Sequence, residues 1–170
     1  MVLGAVIAGW SFAARAETDE LFHFSQKQEE ALVVKVKSSD TILLEDGRWV
    51  RLIGIESAGP PKPRRVKFDK SGKVIEEKEE PDIPLEDQAL AYAQNLLEGK
   101  KVRLEYDAAA LENNRRVAYV FLPDGTFANA ELLRQGFVYL KIRPPNVKYE
   151  ARLRAAYQEA RREQRGFLSN

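Results

Sequence analysis

Four residues between positions 40 and 57 have side chains and positions that could bind an anion or a metal ion. Asp40 ends the polar cluster Ser38-Ser39-Asp40, Arg51 lies inside an apolar run, and Glu56-Ser57 follow the end of that run. Turns and strand ends hold side chains rigidly while exposing them to solvent. A carboxylate and an arginine held in this way could form an anion site or a metal site.

These residues belong to a stretch, 31–57, that is typical of three strands joined by two turns. Valines alternate with lysines in its first part, at the two-residue period of a half-buried strand. A second β-rich run covers residues 41–44, and a third covers 49–55 after the turn Glu45-Asp46-Gly47. The stretch therefore predicts a three-stranded meander with the polar residues at its turns and ends.

The rest of the chain alternates helices and strands. Residues 84–99 predict a helix, because proline opens the segment, acidic residues fill its first turn and glycine ends it. We expect its core-facing side chains to be Leu85, Ala89, Tyr92 and Leu96. The later elements are predicted as strands at 102–106 and 115–122, a helix at 129–135, an extended run at 137–142 and a charged helix at 147–165. Periodicity alone gives a small α+β domain.

A projecting β-hairpin is predicted within residues 60–83. Pro60-Pro61-Lys62-Pro63 should be extended and stiff, because each proline restricts its own backbone and that of the preceding residue. Two short strand-like runs then flank Lys70-Ser71-Gly72. The acidic run at 76–80 has two interpretations: a solvated hairpin arm, or a second source of metal-binding oxygen atoms.

The first 16 residues predict a signal peptide. Residues 2–12 form an apolar run, and Ala14-Arg15-Ala16 has the small residues that a signal peptidase recognises. A run of about 11 residues is too short for a bilayer core that needs about 20. We therefore predict an exported protein, periplasmic or secreted, without a membrane span after cleavage. A disordered or membrane-tethering N-terminus is the alternative. Residues 17–30 are expected to be a lead-in segment, followed by one domain at 31–170.

The composition excludes several kinds of site. There is no cysteine, which rules out disulfides, thiolate metal sites and cysteine nucleophiles. The single histidine, His23, has no neighbours that predict a catalytic triad or a zinc site. The chain has 27 basic and 26 acidic residues, and loss of Arg15 with the leader would leave 26 of each. Nucleic-acid binding would therefore need a local basic surface, because non-specific affinity comes from phosphate neutralisation.

The ordered motifs resemble the thermonucleases of staphylococcal nuclease type. In that family a valine-rich strand enters Asp-Gly-Asp-Thr, and an Arg-Leu-rich strand enters Asp-Thr-Pro-Glu. Ser38-Ser39-Asp40-Thr41 keeps the last two residues of the first motif, and Arg51-Leu52-Ile53-Gly54-Ile55 matches the second strand. Arg115-Arg116-Val117-Ala118-Tyr119 and the segment at 130–136 continue the resemblance, which covers roughly 31–167 with an interruption after 59. It implies a five-stranded OB-fold β-barrel with three helices.

The resemblance also implies a chemistry. In the family, a calcium ion and two arginines bind a phosphodiester while a glutamate acts as general base on water. Arg51 and Arg115 match the two phosphate-binding arginines, whose planar fork suits phosphate oxygens. The residues that match calcium ligands are Asp40, Glu56 and Ser57, the last through its backbone carbonyl. The ordinary alternatives are a turn residue for Asp40, a strand-surface arginine for Arg51 and a strand-start charge for Arg115.

The general base has no match. Gly59 stands at the glutamate position, and general-base catalysis commonly contributes about 10²- to 10⁴-fold. We therefore expect a protein that binds single-stranded DNA or RNA, with weak calcium-dependent hydrolysis. The alternative is a catalytically inactive OB-fold module that binds nucleic acid or a protein partner in the cell envelope.

Overall fold

The structure is a computed structural model that describes residues 28–59, 70–73 and 83–169. The predicted signal peptide, the lead-in as far as residue 27 and the acidic run at 76–80 lie outside the described residues. The predicted hairpin turn at 70–72 lies within the described residues and forms a turn. The strands predicted at 65–69 and 73–78 lie outside the described residues, except for residue 73. None of the described helices is long and apolar enough to cross a membrane.

The predicted meander is confirmed. Its strands are β1 (Gln28–Ser38), β2 (Thr41–Leu44) and β3 (Trp49–Leu52), and each pairs antiparallel with the next. β1 begins three residues before the predicted domain start at 31, because Gln28, Glu29 and Glu30 already pair with a later strand. The meander therefore includes the end of the segment predicted as a lead-in.

The third predicted run is divided by a turn at Ile53-Gly54, and β4 (Ile55–Glu56) follows it. Gly54 has φ +80°, and a Cβ at this position would lie 2.4 Å from Cδ1 of Leu153. Glycine is required here for both its backbone conformation and its lack of a side chain. The turn leads into β4, where Glu56 pairs with Tyr139 of β8 (Tyr139–Leu140).

The later elements follow the predicted order. They are α1 (Leu85–Leu97), β5 (Lys101–Glu105), β6 (Leu111–Glu112), β7 (Arg115–Phe121), α2 (Ala128–Arg134), α3 (Glu150–Arg162) and a 3-10 turn at Gly166–Leu168. β6 was not predicted, and it is a two-residue strand that forms a hairpin with β7. Of the extended run predicted at 137–142, β8 is the only strand.

Five of the strands close into a barrel. Their order is β3-β2-β1-β5-β7, and a parallel pairing of β3 with β7 joins the two ends. In this pairing Val50, Arg51 and Leu52 lie beside Arg116, Val117 and Ala118. The α+β class and the five-stranded OB-fold barrel with three helices are thereby confirmed.

The buried faces of two helices can be compared with their predicted faces. In α1 the buried residues are Ala89, Ala93 and Leu97. Ala89 was predicted correctly, but the other predicted residues, Leu85, Tyr92 and Leu96, lie at the edge of the buried face and are only half-buried. For α3 the sequence predicts Tyr149, Leu153, Ala156 and Ala160 on one face; the last three are buried, whereas Tyr149 precedes the helix as its N-cap and is half-buried.

One fully buried amide connects α2 to the barrel. Asn129 is 0% exposed; its Nδ2 donates to the carbonyl of Ile53 at 2.8 Å, and its Oδ1 accepts from the amide of Val120 at 2.9 Å. Ile53 follows β3 and Val120 lies in β7. The side chain therefore satisfies two backbone groups on either side of the seam that closes the barrel.

Candidate functional site

Asp40 lies at the turn between β1 and β2 and is only 6% exposed. Its Oδ1 accepts hydrogen bonds from the hydroxyls of Ser38 at 2.7 Å and Thr41 at 2.9 Å. Ser38 ends β1 and Thr41 begins β2, so these short polar residues flank the turn and fix one oxygen of the carboxylate. These hydrogen bonds orient the buried carboxylate without a ligand.

The other oxygen of Asp40 faces Arg51. The Nε and Nη2 atoms of Arg51 both lie 3.2 Å from Oδ2, which also accepts the backbone N–H of Ser57 at 3.2 Å. The β2–β3 ladder brings the pair together, because Arg51 lies opposite Thr41 and the amide of Leu52 donates to the Asp40 carbonyl at 2.8 Å. Two-point pairing of this kind fixes the plane of the guanidinium.

Glu56 links the ion pair of Asp40 and Arg51 to a second cation, Lys141. Its Oε1 lies 3.3 Å from Nη2 of Arg51 and forms an ion pair with Nζ of Lys141. The hydrogen bond from Lys141 outweighs the opposing effect of burial and, with the positive charges of Lys141 and Arg51, holds the pKa of Glu56 below its ordinary value. Glu56 is therefore an ionised carboxylate shared between two cations.

Arg115 is the first residue of β7 and is exposed. Because Arg51 lies beside Val117 in the parallel ladder, Arg115 lies on the same face two residues before that point. Strand spacing and rise place the Cα atoms of the two arginines about 8 Å apart. In the described part of the chain, Arg115 forms no ion pair.

The structure therefore joins four of the five predicted site residues by direct contacts, and it places the fifth, Arg115, on the neighbouring strand. A sequence profile of the family described as staphylococcal nuclease homologue matches residues 49–170, more than half of the chain. The chain belongs to the staphylococcal nuclease family. The resemblance seen in the motifs is thereby confirmed.

Two relatives in that family are thermonucleases. The thermonuclease of Staphylococcus intermedius is 33% identical over 140 residues, which cover 80% of this chain and 74% of the relative. The thermonuclease of Staphylococcus hyicus is 30% identical over 142 residues, which cover 81% of this chain and 75% of the relative. Membership of the staphylococcal nuclease family supports a nuclease-type function and nucleic-acid binding.

The position that the family resemblance assigns to the general base is exposed, but its backbone conformation is unsuited to a side chain. Gly59 is exposed and its amide donates to Oγ of Ser57 at 3.2 Å. A Cβ on Gly59 would meet no atom within 4 Å, yet φ is +87°, which L-residues rarely adopt. A glutamate here would have space but would strain the backbone of this loop.

The donor set of the site does not fit a calcium ion. Both oxygens of Asp40 already accept two or more hydrogen bonds, and Oε1 of Glu56 is held by Lys141 and Arg51. Calcium takes six to eight oxygen ligands. Within residues 28–59, 70–73 and 83–169, no three His, Cys, Asp or Glu side chains group in a way that could hold a metal ion.

Lys141 was not predicted from the sequence. It follows β8, and its amide donates to the carbonyl of Gly54 at 2.9 Å, so the β4–β8 ladder sets its position beside Glu56. A single lysine in a short extended run carries no local signal of such a role. The role of Lys141 becomes visible only in the structure, where the two-residue strands β4 and β8 pair and bring Lys141 to Glu56, 85 positions away in the sequence.

Proposed function

We propose that the protein binds phosphodiesters of single-stranded DNA or RNA between Arg51 and Arg115, and hydrolyses them slowly. The observation that supports this proposal is the fixed guanidinium of Arg51. Asp40 holds its Nε and Nη2, while Nη1 takes part in no hydrogen bond among the described residues. One edge of the guanidinium is thus anchored and another can donate to a phosphate oxygen.

The second arginine supplies the charge that attracts the phosphate. Arg115 is exposed and forms no ion pair in the described ranges, whereas the charge of Arg51 is shared with two carboxylates. Guanidinium groups on adjacent strands can donate to different oxygens of one phosphate, and this arrangement also stabilises the charge that develops during phosphoryl transfer. We therefore assign both arginines to phosphodiester binding.

Slow hydrolysis follows from the groups that surround the proposed phosphate position. Gly59 has no side chain to accept a proton from water, and Glu56 is ion-paired with Lys141 and Arg51, which makes it a weak base. A rate lower by about 10²- to 10⁴-fold corresponds to the loss of general-base catalysis. The calcium implied by the family resemblance has no place in this proposal, because the two expected carboxylate ligands, Asp40 and Glu56, are already paired with Arg51 and Lys141.

The proposal is tested with a fluorescent single-stranded oligonucleotide. We expect Arg51→Ala and Arg115→Ala each to weaken binding by about tenfold or more, since a hydrogen bond to a charged group contributes about 1.5–3 kcal/mol. Fluorescence anisotropy over a range of salt concentrations measures this, and the salt slope should fall by about one for each phosphate contact that is removed.

Two further variants control this test. Arg161→Ala removes an exposed arginine of α3 and should leave affinity close to wild type. Arg51→Lys keeps the charge but loses the fork that pairs with Asp40, so it should bind less tightly than wild type. Equal affinity of the wild type and both alanine variants would contradict the site. Tight binding without any hydrolysis would favour the inactive OB-fold module.

We also propose that the protein is exported after cleavage behind Ala16. The apolar run at 2–12 and the alanines at positions 14 and 16 support this proposal. N-terminal sequencing of protein from the exported fraction should begin at Glu17. A mature protein that retains Met1 in the cytoplasmic fraction would contradict export.

A further inference from the structure

Lys141 occupies a position in the site that its sequence context does not explain. Its ammonium is paired with Glu56, and its side chain is 35% exposed, so the charge is held in place and still reaches solvent. An ammonium group has three N–H donors. Glu56 is its single side-chain partner among the described residues, which leaves donors for a further acceptor.

The charges of the site are balanced without any added ion. The cations Arg51 and Lys141 offset the carboxylates Asp40 and Glu56, and Arg115 then adds one net positive charge. A divalent cation at Oε1 of Glu56 would have to displace Lys141 and would lie next to Arg51. Like charges at such distances repel, and this repulsion disfavours the metal.

The backbone holds Lys141 in this position. Its amide donates to the carbonyl of Gly54, and the adjacent residue Leu140 lies opposite Ile55 in the β4–β8 ladder. Glu56 and Ser57 follow directly on the other strand. The ammonium is thus fixed beside Glu56, one of the two carboxylates that the family resemblance assigns to a metal.

We propose that Lys141 is the resident cation of this site and binds the phosphodiester in place of a divalent metal ion. The inference rests on the proposed phosphodiester-binding function. It adds that binding does not require calcium and that Lys141 contacts a phosphate oxygen together with Arg51 and Arg115. Glu56 then acts as a positioning residue for Lys141 and binds no metal.

A first test needs no nucleic acid. Thermal unfolding of the wild type is measured in EDTA and in a series of calcium concentrations, because an ion that binds only the folded state must raise the midpoint. We expect the same midpoint throughout the series. A saturable rise with calcium would overturn the inference, whether or not the protein binds nucleic acid.

The second test measures oligonucleotide binding in EDTA. Lys141→Met should weaken binding by about tenfold, which corresponds to the loss of one charge-assisted contact. Lys141→Arg keeps a cation and should recover most of the affinity. Lys101→Met, at an exposed position of β5, is the matched control and should bind as the wild type does. Wild-type affinity in Lys141→Met would overturn the inference.

Glu56→Gln separates the two roles of the acidic residue. Glutamine keeps a side-chain oxygen that can accept from Nζ of Lys141, so the lysine stays in position while the site becomes more positive, and affinity in EDTA should rise by about threefold. If Glu56 instead holds a metal needed for binding, the wild type should bind more tightly in calcium than in EDTA, and that result would overturn the inference. Failure of the wild type to bind under any condition would instead contradict the proposed function.

Discussion

Replacing Asp40 with asparagine is expected to lower the free energy of unfolding by about 1–3 kcal/mol, the cost of leaving hydrogen-bonding groups unsatisfied at a buried position. It should also weaken oligonucleotide binding by about tenfold or more. Asparagine has nearly the same shape, but its amide would direct N–H groups toward one of the two sets of donors that now point at Asp40. Arg51 would then lose the partner that fixes its orientation.

Urea unfolding and fluorescence anisotropy measure the two effects separately. Asp87→Asn is the matched control, because Asp87 is exposed in the first turn of α1, and surface changes usually stay within about 0.5 kcal/mol. Loss of stability with unchanged affinity would show that Asp40 supports the fold and does not position Arg51. Unchanged stability would contradict the importance of the buried pair.

Asn129→Ala is expected to lower the free energy of unfolding by about 2–6 kcal/mol. The change removes the side-chain amide of Asn129 and leaves its two partners, the carbonyl of Ile53 and the amide of Val120, buried without hydrogen bonds. Each such group costs about 1–3 kcal/mol. The effect should be large because no water can reach a side chain that is 0% exposed.

Urea unfolding again measures the change, with Asn95→Ala on the exposed side of α1 as control. The control should be neutral or slightly stabilising, since alanine has the higher helix propensity. Asn129→Asp should also destabilise, because one carboxylate oxygen would face the carbonyl of Ile53. A loss below about 1 kcal/mol in Asn129→Ala would mean that other groups satisfy the two backbone atoms.

The local elements could be predicted from the sequence because their signals are local. The proline before α1 and the glycine after it mark that helix, and the turn at Gly47 separates β2 from β3. Side-chain periodicity also found the buried face of α3. It placed the face of α1 less well, because the buried residues Ala93 and Leu97 lie beside large flanking side chains that are only half-buried.

The tertiary contacts could not be predicted in this way. The short strands β4 and β8 have too few residues for a periodic pattern, and they exist because they pair with each other. The ion pair of Lys141 with Glu56 depends on that pairing, and the two hydrogen bonds of Asn129 depend on the packing of α2 against the barrel. The OB-fold itself came from the family resemblance, since no local pattern predicts that β3 and β7 pair in parallel.

The parallel pairing of β3 with β7 also links nucleic-acid binding to folding kinetics. It joins residues 50–52 to 116–118, and contacts between such distant segments form late because loop-closure entropy opposes them. Arg51 and Arg115 belong to these two strands, so their like charges come together when the barrel closes. Under the proposed function, a phosphodiester that bridges them would bind only the closed barrel and would offset this repulsion. The concentration of nucleic acid would then set how long the closed barrel persists before it opens.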